Sequence, residues 1–430
     1  MCQAALTDRL VARFRTPSPG GLAATAFLLS IGCAFDLHAE PSFPELDWHG
    51  LLDLRFMSGN AQNGELQNGL GKFRYGTDSE TIRINEAAAS LKASLNWDWS
   101  GFLTIKYANR QQQALDVSEG FFAYRPVPLG AWNFNARLGM FFPPISLENS
   151  GTAWSSPYTL NSSVINAWVG QELRSFGAET RLAYRLANGG HIGLFAAGIA
   201  NNDTAGLLLA WRGWSLSDYE ATLHDRLRLP VGVGITRHFP KQAAYTRPFV
   251  EIDGNAGYYA GLTADLHGKF TLRALYYDNL AEPTGLREGQ YAWHTRFWSL
   301  SVKTELPGQI TLISQGLQGS TEMGETRNGF RAVDAGFWAA SLLLSKSLGP
   351  HRLSLRHEYF GSGQNDFMPQ EDNREHGYAL TANYNVTLAR RHQFNLEFSR
   401  IVSNRPSRLN LGQPADQQEL LWQFAYRVFF

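Results

Sequence analysis

The sequence predicts an all-β chain folded as a transmembrane antiparallel β-barrel, and two observations carry that prediction. Residues 420–430 alternate without a break: Leu420, Trp422, Phe424, Tyr426, Val428 and Phe430 share one side of a period of two, and Leu421, Gln423, Ala425, Arg427 and Phe429 share the other. The first side is wholly apolar and the second is mixed, as a strand between lipid and water requires. The second observation is the order of the connections, where turns of a few residues alternate with long polar segments; that is the rim asymmetry of a membrane barrel. After residue 40 no apolar run of helical spanning length remains, so any crossing of a membrane is made by strands.

From the N-terminus, Arg9, Arg13 and Arg15 precede an apolar stretch from Gly21 to Phe35, and Leu37-His38-Ala39 ends in a small residue. Residues 1–39 therefore read as a secretory signal peptide and residues 40–430 as the barrel, with Glu40 first. A cut before Cys33, after Ser30-Ile31-Gly32, is the alternative and gives a lipid-anchored chain. Both cysteines, Cys2 and Cys33, lie in this leader. The mature chain is then expected to have no disulfide, no thiol nucleophile and no cysteine metal site. Removing Asp8, Arg9, Arg13, Arg15 and Asp36 with the leader leaves acidic and basic residues balanced to within one charge, which gives no ground for a nucleic-acid partner.

Strands follow from about Leu46 onward. In 131–141, Trp132, Phe134, Ala136, Leu138 and Met140 oppose Asn133, Asn135, Arg137 and Gly139; in 376–388, Tyr378, Leu380, Ala382, Tyr384 and Val386 oppose Ala379, Thr381, Asn383, Asn385 and Thr387. Short turns are expected at Ala187–Gly190, Leu266–Lys269, Leu306–Gln309, Leu348–His351 and Ala389–His392. Long polar connections are expected near 278–290, 317–332, 361–375 and 402–417. Trp97, Trp99, Tyr276, Tyr277, Trp293, Phe297 and Trp298 sit at strand ends, where an interfacial girdle would lie. The stretch 201–255 is the least regular. Eighteen strands are expected, with sixteen the next choice, because an even number brings both termini to one side.

Regular alternation stops at Phe142-Pro143-Pro144 and resumes near Ser175, leaving 142–174 as the third and longest external connection, after 58–82 and 109–115. Trp154, Pro157, Tyr158 and Trp168 give it rigid packing groups, and Asn161-Ser162-Ser163 can cap a short helix at Val164–Trp168. Arginine far outnumbers lysine, and Arg55, Arg137, Arg181, Arg185, Arg352 and Arg356 fall opposite apolar positions. Two readings stand. Inward Arg137, Arg181 and Arg185 facing Glu148 and Glu172 of the connection, with Arg174 at its exit, would set a transverse field across a constriction. Alternatively, the arginines pair with inward acids such as Glu179, Glu358 and Glu397 and leave a nearly neutral lumen.

The leader, the dyad strands, the long third loop and the terminal Phe430 resemble a Gram-negative outer-membrane porin over most of residues 40–430. Arg137-Leu138-Gly139-Met140-Phe141-Phe142-Pro143-Pro144, followed by Ser146-Leu147-Glu148, is similar in outline to the same strand and loop of the phosphate-selective-porin-like superfamily. No phosphate-binding residue of that superfamily carries over position by position. The resemblance implies a bacterial outer-membrane location, surrounding lipid and lipopolysaccharide, and a homotrimer. It also implies a third loop folded into the barrel. The polar faces opposite the lipid-facing sets in a barrel of sixteen to eighteen strands predict passive diffusion of small hydrophilic solutes, and the inward arginines a mild anion preference. In outer-membrane barrels a C-terminal aromatic residue is part of the signal read by the barrel-assembly machinery, a role that falls here to Phe430. No cofactor or metal is implied.

Two other function classes are set against the porin. A surface adhesin or scaffold barrel shares the architecture without the transport. A lipid-modifying enzyme needs a serine and histidine acting together on the lipid face; His224-Asp225 and His357-Glu358 are sequence neighbours, and neighbours in a strand point to opposite sides. The sequence contains no HExxH, GxSxG or phosphate-loop motif.

Overall fold

The computed structural model describes residues 42–64, 68–76, 82–187, 189–230, 238–368 and 371–430, so the expected leader at 1–39 lies outside the described residues. Sixteen strands close into one antiparallel barrel: β1 Glu45–Gly59, β2 Arg83–Ser94, β3 Trp99–Ala108, β4 Asp116–Tyr124, β5 Trp132–Phe141, β6 Ser175–Arg185, β7 His191–Ala200, β8 Gly257–Leu266, β9 Phe270–Asp278, β10 His294–Leu306, β11 Ile310–Arg327, β12 Phe330–Leu348, β13 His351–Ser362, β14 Glu375–Leu388, β15 His392–Asn404 and β16 Asp416–Phe429. Each strand pairs with its sequence neighbour, and β16 returns to β1 with Leu51 opposite Phe429 and Gly59 opposite Leu421. Closure gives every strand two partners and leaves no free edge, the condition for strands in hydrocarbon.

The dyad pattern has the physical meaning the sequence assigns to it. Along β16, Trp422 and Phe424 are exposed to the outside, whereas Gln423, Ala425 and Arg427 are buried within. Along β12, Trp338, Leu342 and Leu344 face out and Phe337, Ala339, Ser341 and Leu343 face in. The short turns all join strands on one rim. His267 and Gly268, and Ala389 and Arg390, carry consecutive positive φ angles, the backbone that suits a tight hairpin between right-twisted strands.

Sixteen strands replace the expected eighteen because the irregular stretch after β7 does not cross the wall. Residues 201–256 form the fourth loop, which exceeds the third in length; its described residues from 201 to 229 fold inward. Its apolar segment Leu207–Trp211 is a short helix with every residue buried, and Leu227–Arg228 pairs with Tyr245–Thr246 in a separate two-stranded sheet. Leu207, Leu208 and Leu209 are apolar because they pack inside the barrel, not because they meet lipid.

Two smaller expectations also change. The polar stretch 317–332 is no long loop: β11 and β12 continue as a paired hairpin to Arg327 opposite Phe330, closed by Asn328-Gly329, both at positive φ. Among the expected girdle residues, Tyr276 and Trp298 meet on the outer surface with ring centroids 4.7 Å apart, but Tyr277, Trp293 and Phe297 are buried inside. Residues 276 and 277 are consecutive in a strand, so only one of them can face lipid.

The main apolar core therefore lies in the lumen. Met57, Phe141, Trp168, Trp214, Tyr277, Phe297, Phe337 and Phe360 belong to one buried cluster built from the inner wall and from the third and fourth loops.

Candidate functional site

The third loop, residues 142–174, enters the barrel as soon as β5 ends. Phe142 stacks flat on Trp154 at 4.3 Å, and Trp154 and its neighbour Ala153 both take positive φ to make the turn. The loop then forms helix α1, Val164–Glu172, where the Ser163 hydroxyl accepts from the Asn166 N–H at 3.2 Å as the expected cap. Every residue of α1 is buried. Trp168 sits at its centre, edge-on to Phe297 and Phe337 at 5.3 Å each.

Inward side chains of β13 to β16 bind the loop backbone. The Leu160 and Asn161 N–H groups donate to Glu397 at 2.5 and 3.0 Å, and the Val164 N–H donates to Glu358 at 2.7 Å. Asn383 donates to the Tyr158 carbonyl at 2.9 Å and Arg427 to the Ser156 carbonyl at 3.3 Å. Arg356 joins the two sides: it pairs with Glu358 of its own strand at 2.9 Å and with Glu148 of the loop at 2.5 Å. Bonds with a charged partner are shorter and stronger than neutral ones, so the loop is fixed to this wall.

Each residue expected at the constriction can now be placed. Arg137 donates twice to Glu179, at 2.8 and 3.0 Å, and once to the Phe142 carbonyl at 2.9 Å; Arg181 donates to the same Glu179 at 2.6 Å. Arg185 lies near the short-turn rim, 3.4 Å from the Gly130 carbonyl. Glu148 is buried against Arg356, Thr159 and Asn166. Glu172 is buried at the end of α1 and accepts from the Trp168 indole at 2.6 Å and from the N–H groups of Gly206 and Leu208 at 3.0 and 3.1 Å. Burial pushes the Glu172 carboxyl up to about 7, against the pull of those three donors. Arg174 is buried too, donates to the carbonyls of Ser118, Gly170 and Ala221, and lies over the rings of Phe142 and Phe249. The structure thus brings Arg137 and Arg181 together on Glu179, and sets Glu148 and Glu172 among other partners.

Where the loop leaves the wall, a recess remains. It is about 720 Å³, opens at the short-turn rim and is lined by Phe121, Asn133, Asn135, Arg137, Glu179 and Arg181 among others. Beside it stands Phe142, whose carbonyl accepts from Arg137, whose N–H donates to Glu119 at 3.2 Å and whose ring lies under Arg174.

Several buried charges escaped the sequence reading. Asp218 of the fourth loop lies between Arg55 at 2.9 Å and Arg74 at 3.2 Å; burial works to raise its carboxyl, and the two guanidinium groups hold it well below the usual range. Lys106 bridges Glu86 and Glu220 at 3.1 Å each, and Lys72 of the first loop pairs with Glu375. For Lys106 the available signal was a lysine at an inward strand position; Lys72 and Asp218 lie in loops, where no period marks the inward side. Carboxylate oxygens of Asp203, Glu251 and Asp253 lie within 4.8 Å of one another, but all three already accept backbone N–H bonds, from Ile252, Asn201 and Asn255 respectively.

No protein-family model and no curated protein sequence matches this chain. Solved structures do. The outer membrane channel DcaP of Acinetobacter baumannii is similar over 90% of this chain and 98% of its own, with TM-score 0.56 and 10% identity. A loop L8 deletion mutant of OmpT, an outer membrane protein of Vibrio cholerae, is similar over 90% of this chain and 100% of its own, at 0.51 and 8%. The anion-selective porin from Comamonas acidovorans covers 90% and 99%, at 0.50 and 9%. At such identities the likeness is one of fold. The fold is the porin-like outer-membrane barrel, and a bacterial outer membrane is the place of a closed barrel with this apolar outer surface.

Proposed function

We propose that this protein is an outer-membrane channel for passive diffusion of small hydrophilic solutes, with a mild preference for anions. One observation carries the reading: the third loop is bound to the β13 to β16 wall and leaves the polar recess of Arg137, Arg181 and Glu179 open on the opposite one. Arg125, Arg137 and Arg181 against Asp98 and Glu179 give that recess its cationic excess. Solutes reach it from the short-turn side, and the layer of Phe142, Glu119 and Arg174 forms the narrowest part. Arg185 extends the basic wall to the rim. In this reading residues 1–39 direct secretion, Phe430 presents the last strand to the assembly machinery, and the barrels associate as a homotrimer among lipid and lipopolysaccharide.

The packing of Trp168, Trp214, Phe297 and Phe337 across the lumen favours a second reading, a scaffold or adhesin barrel that never opens. Planar-bilayer recording with reversal potentials in a salt gradient separates the two. The channel reading expects discrete openings with anion preference, and a higher conductance when part of 149–168 is deleted. A correctly inserted barrel that never conducts, with or without that deletion, would leave the scaffold. Neither reading assigns catalysis: His357 faces out while Glu358 faces in, and His224 contacts Asp116, not Asp225. Purified protein assayed on phospholipid is expected to release no product.

A further inference from the structure

The base of the fourth loop is fixed beside β9 and β10. The Tyr277 hydroxyl donates to Asn202, the Thr295 hydroxyl to the Ala205 carbonyl at 2.6 Å, and the Trp293 N–H to the Asp203 carbonyl at 2.6 Å. From Trp214 to Leu223 the chain then meets one wall strand after another. Trp214 donates from its indole to the Gly361 carbonyl of β13 at 3.1 Å and from its N–H to Glu375 of β14 at 3.0 Å. Asp218 pairs with Arg55 of β1 and accepts from Asn85 of β2, both at 2.9 Å, and Glu220 pairs with Lys106 of β3 at 3.1 Å. The Leu223 N–H donates to the Val117 carbonyl of β4 at 2.9 Å. β13 and β4 lie seven strand steps apart in a ring of sixteen, nearly a diameter, so a chain that touches both crosses the lumen. It rests on the third loop as it crosses: Arg174 donates to the Ala221 carbonyl, and the Ala221 N–H to the Gly170 carbonyl of α1 at 3.0 Å.

The bland reading is a loop that simply fills the barrel, held by apolar packing. Leu207–Trp211 answers to it, packed with Trp293, Met323 and Ala335, and so do Trp214 and Leu216, which belong to the main apolar cluster. Residues 217–225 differ. Their buried apolar side chains are Tyr219 and Ala221 alone, and the Tyr219 ring lies under the Arg74 guanidinium at 5.0 Å. Beyond Leu223, His224 is held by Asp116, and Asp225 accepts from the Gln112 N–H. Water can satisfy each of these groups when the segment lifts, and an ion pair in a protein interior gains little over its hydrated parts because desolvation offsets the attraction. Neither wall cation is left alone by that movement: Arg55 keeps Asp53 at 2.6 Å and Lys106 keeps Glu86 at 3.1 Å.

We propose that residues 217–225 are the gate of the channel. They form a strap that shuts the long-loop end through Asp218 and Glu220. When those pairs part, the strap lifts from β1 to β4 and joins the inner recess to the outside, while the helix and Trp214 stay in place. The gate rests on the channel reading, since a barrel that never conducts has no use for one.

Single-channel recording in planar bilayers tests it on the full barrel beginning at Glu40, which has no native cysteine. V117C/L223C places one thiol on β4 and one on the strap. Joining them with a short bis-maleimide, verified by mass spectrometry, is expected to abolish the openings that the same barrel shows unjoined. D218N/E220Q is expected to raise the open probability roughly tenfold or more, because Arg55 and Lys106 then meet fewer acids in the closed form than the strap needs to hold it down. A joined barrel that opens as the unjoined one does, or D218N/E220Q that opens no more often than the parent, refutes the gate and keeps the channel. A barrel that stays silent even when 217–223 is replaced by a short glycine linker refutes the channel, and the gate with it. Should D218N/E220Q fail to fold, the cross-link decides alone.

Discussion

Replacing Arg356 with alanine should free the third loop and leave the barrel standing. The guanidinium is fully buried and donates to Glu358 at 2.9 Å, Glu148 at 2.5 Å, the Thr159 hydroxyl at 2.8 Å, and the carbonyls of Asn161 and Ser162 at 3.0 and 3.1 Å. All but the first of these partners belong to the loop. Removing the cation leaves Glu148 and Glu358 buried and facing one another, and breaking a buried pair from one side costs about 3–5 kcal/mol. The backbone of residue 356 keeps its partners Leu343 and Thr381, so that cost falls on docking of the loop and not on the strand ladder. At about 1.4 kcal/mol for each factor of ten, the undocked fraction should rise roughly a hundredfold to a thousandfold.

Thiol accessibility reads that fraction directly. Cys2 and Cys33 are the only native cysteines, so Ser162→Cys supplies a single thiol in protein that begins at Glu40. Ser162 is buried in the docked loop, and its labelling by a water-soluble maleimide waits on opening. Adding R356A should accelerate labelling by the factor above while the barrel remains resistant to SDS at room temperature. Neutralising the stranded acids as well, in R356A/E148Q/E358Q, should recover part of the docking. Labelling within about threefold of the S162C parent, in a barrel that folds normally, would refute the assignment of docking to Arg356.

Three further outcomes are expected. The Glu172 carboxyl sits near 7 in the docked loop against an ordinary 4.5, so the docked state binds its proton more tightly than the released one. Docking is then strongest below the ordinary value, weakens by roughly 3 kcal/mol as pH rises through 4.5 to 7, and is level above; E172Q should flatten the pH dependence of S162C labelling, once corrected for thiol ionisation. R181A/R185A should move the reversal potential toward cation preference, because it strips two positive charges from the mouth of the inner recess while Glu179 remains. Deleting Phe430 removes two hydrogen bonds to Gly50, at 3.1 and 3.2 Å, each worth about 1 kcal/mol, and a ring stacked on Trp48; the yield of SDS-resistant barrel should fall.

Legibility of this chain in its sequence follows the physics of each part. Strand existence and facing were readable wherever lipid imposed the pattern, because a lipid-facing position admits only apolar side chains: β16, β14 and β5 were placed from alternation alone, and local chemistry put the helix cap within Asn161-Ser162-Ser163, of which Ser163 serves. Strand number was not readable, because Leu207-Leu208-Leu209 presents the same apolar character to a counting eye whether it packs on lipid or inside the lumen. The length of β11 and β12 was hidden for the opposite reason. The inward side of this hairpin packs on the fourth loop and its outward side is polar, so Thr321, Glu322 and Thr326 read as loop while remaining paired strand.

The inner wall is where a period of two gives least information. It separates inside from outside but does not say what the inside touches, and here that is a folded loop over one arc and an open recess over another. Phe297 and Phe337 are apolar at inward positions, which a water-filled lumen would penalise; their meaning is α1 and the Trp168 ring packed against them. Glu358 and Glu397 are acids on the same arc, and their meaning is the N–H groups of Leu160, Asn161 and Val164. On the opposite arc Arg137 and Arg181 share one carboxylate between two guanidinium groups and so keep a net positive charge beside the recess. An inward arginine matched by its own acid, as Arg356 is by Glu358 and Glu148, fastens the third loop; Arg137 and Arg181, two cations on one acid, leave a positive charge facing the recess beside it.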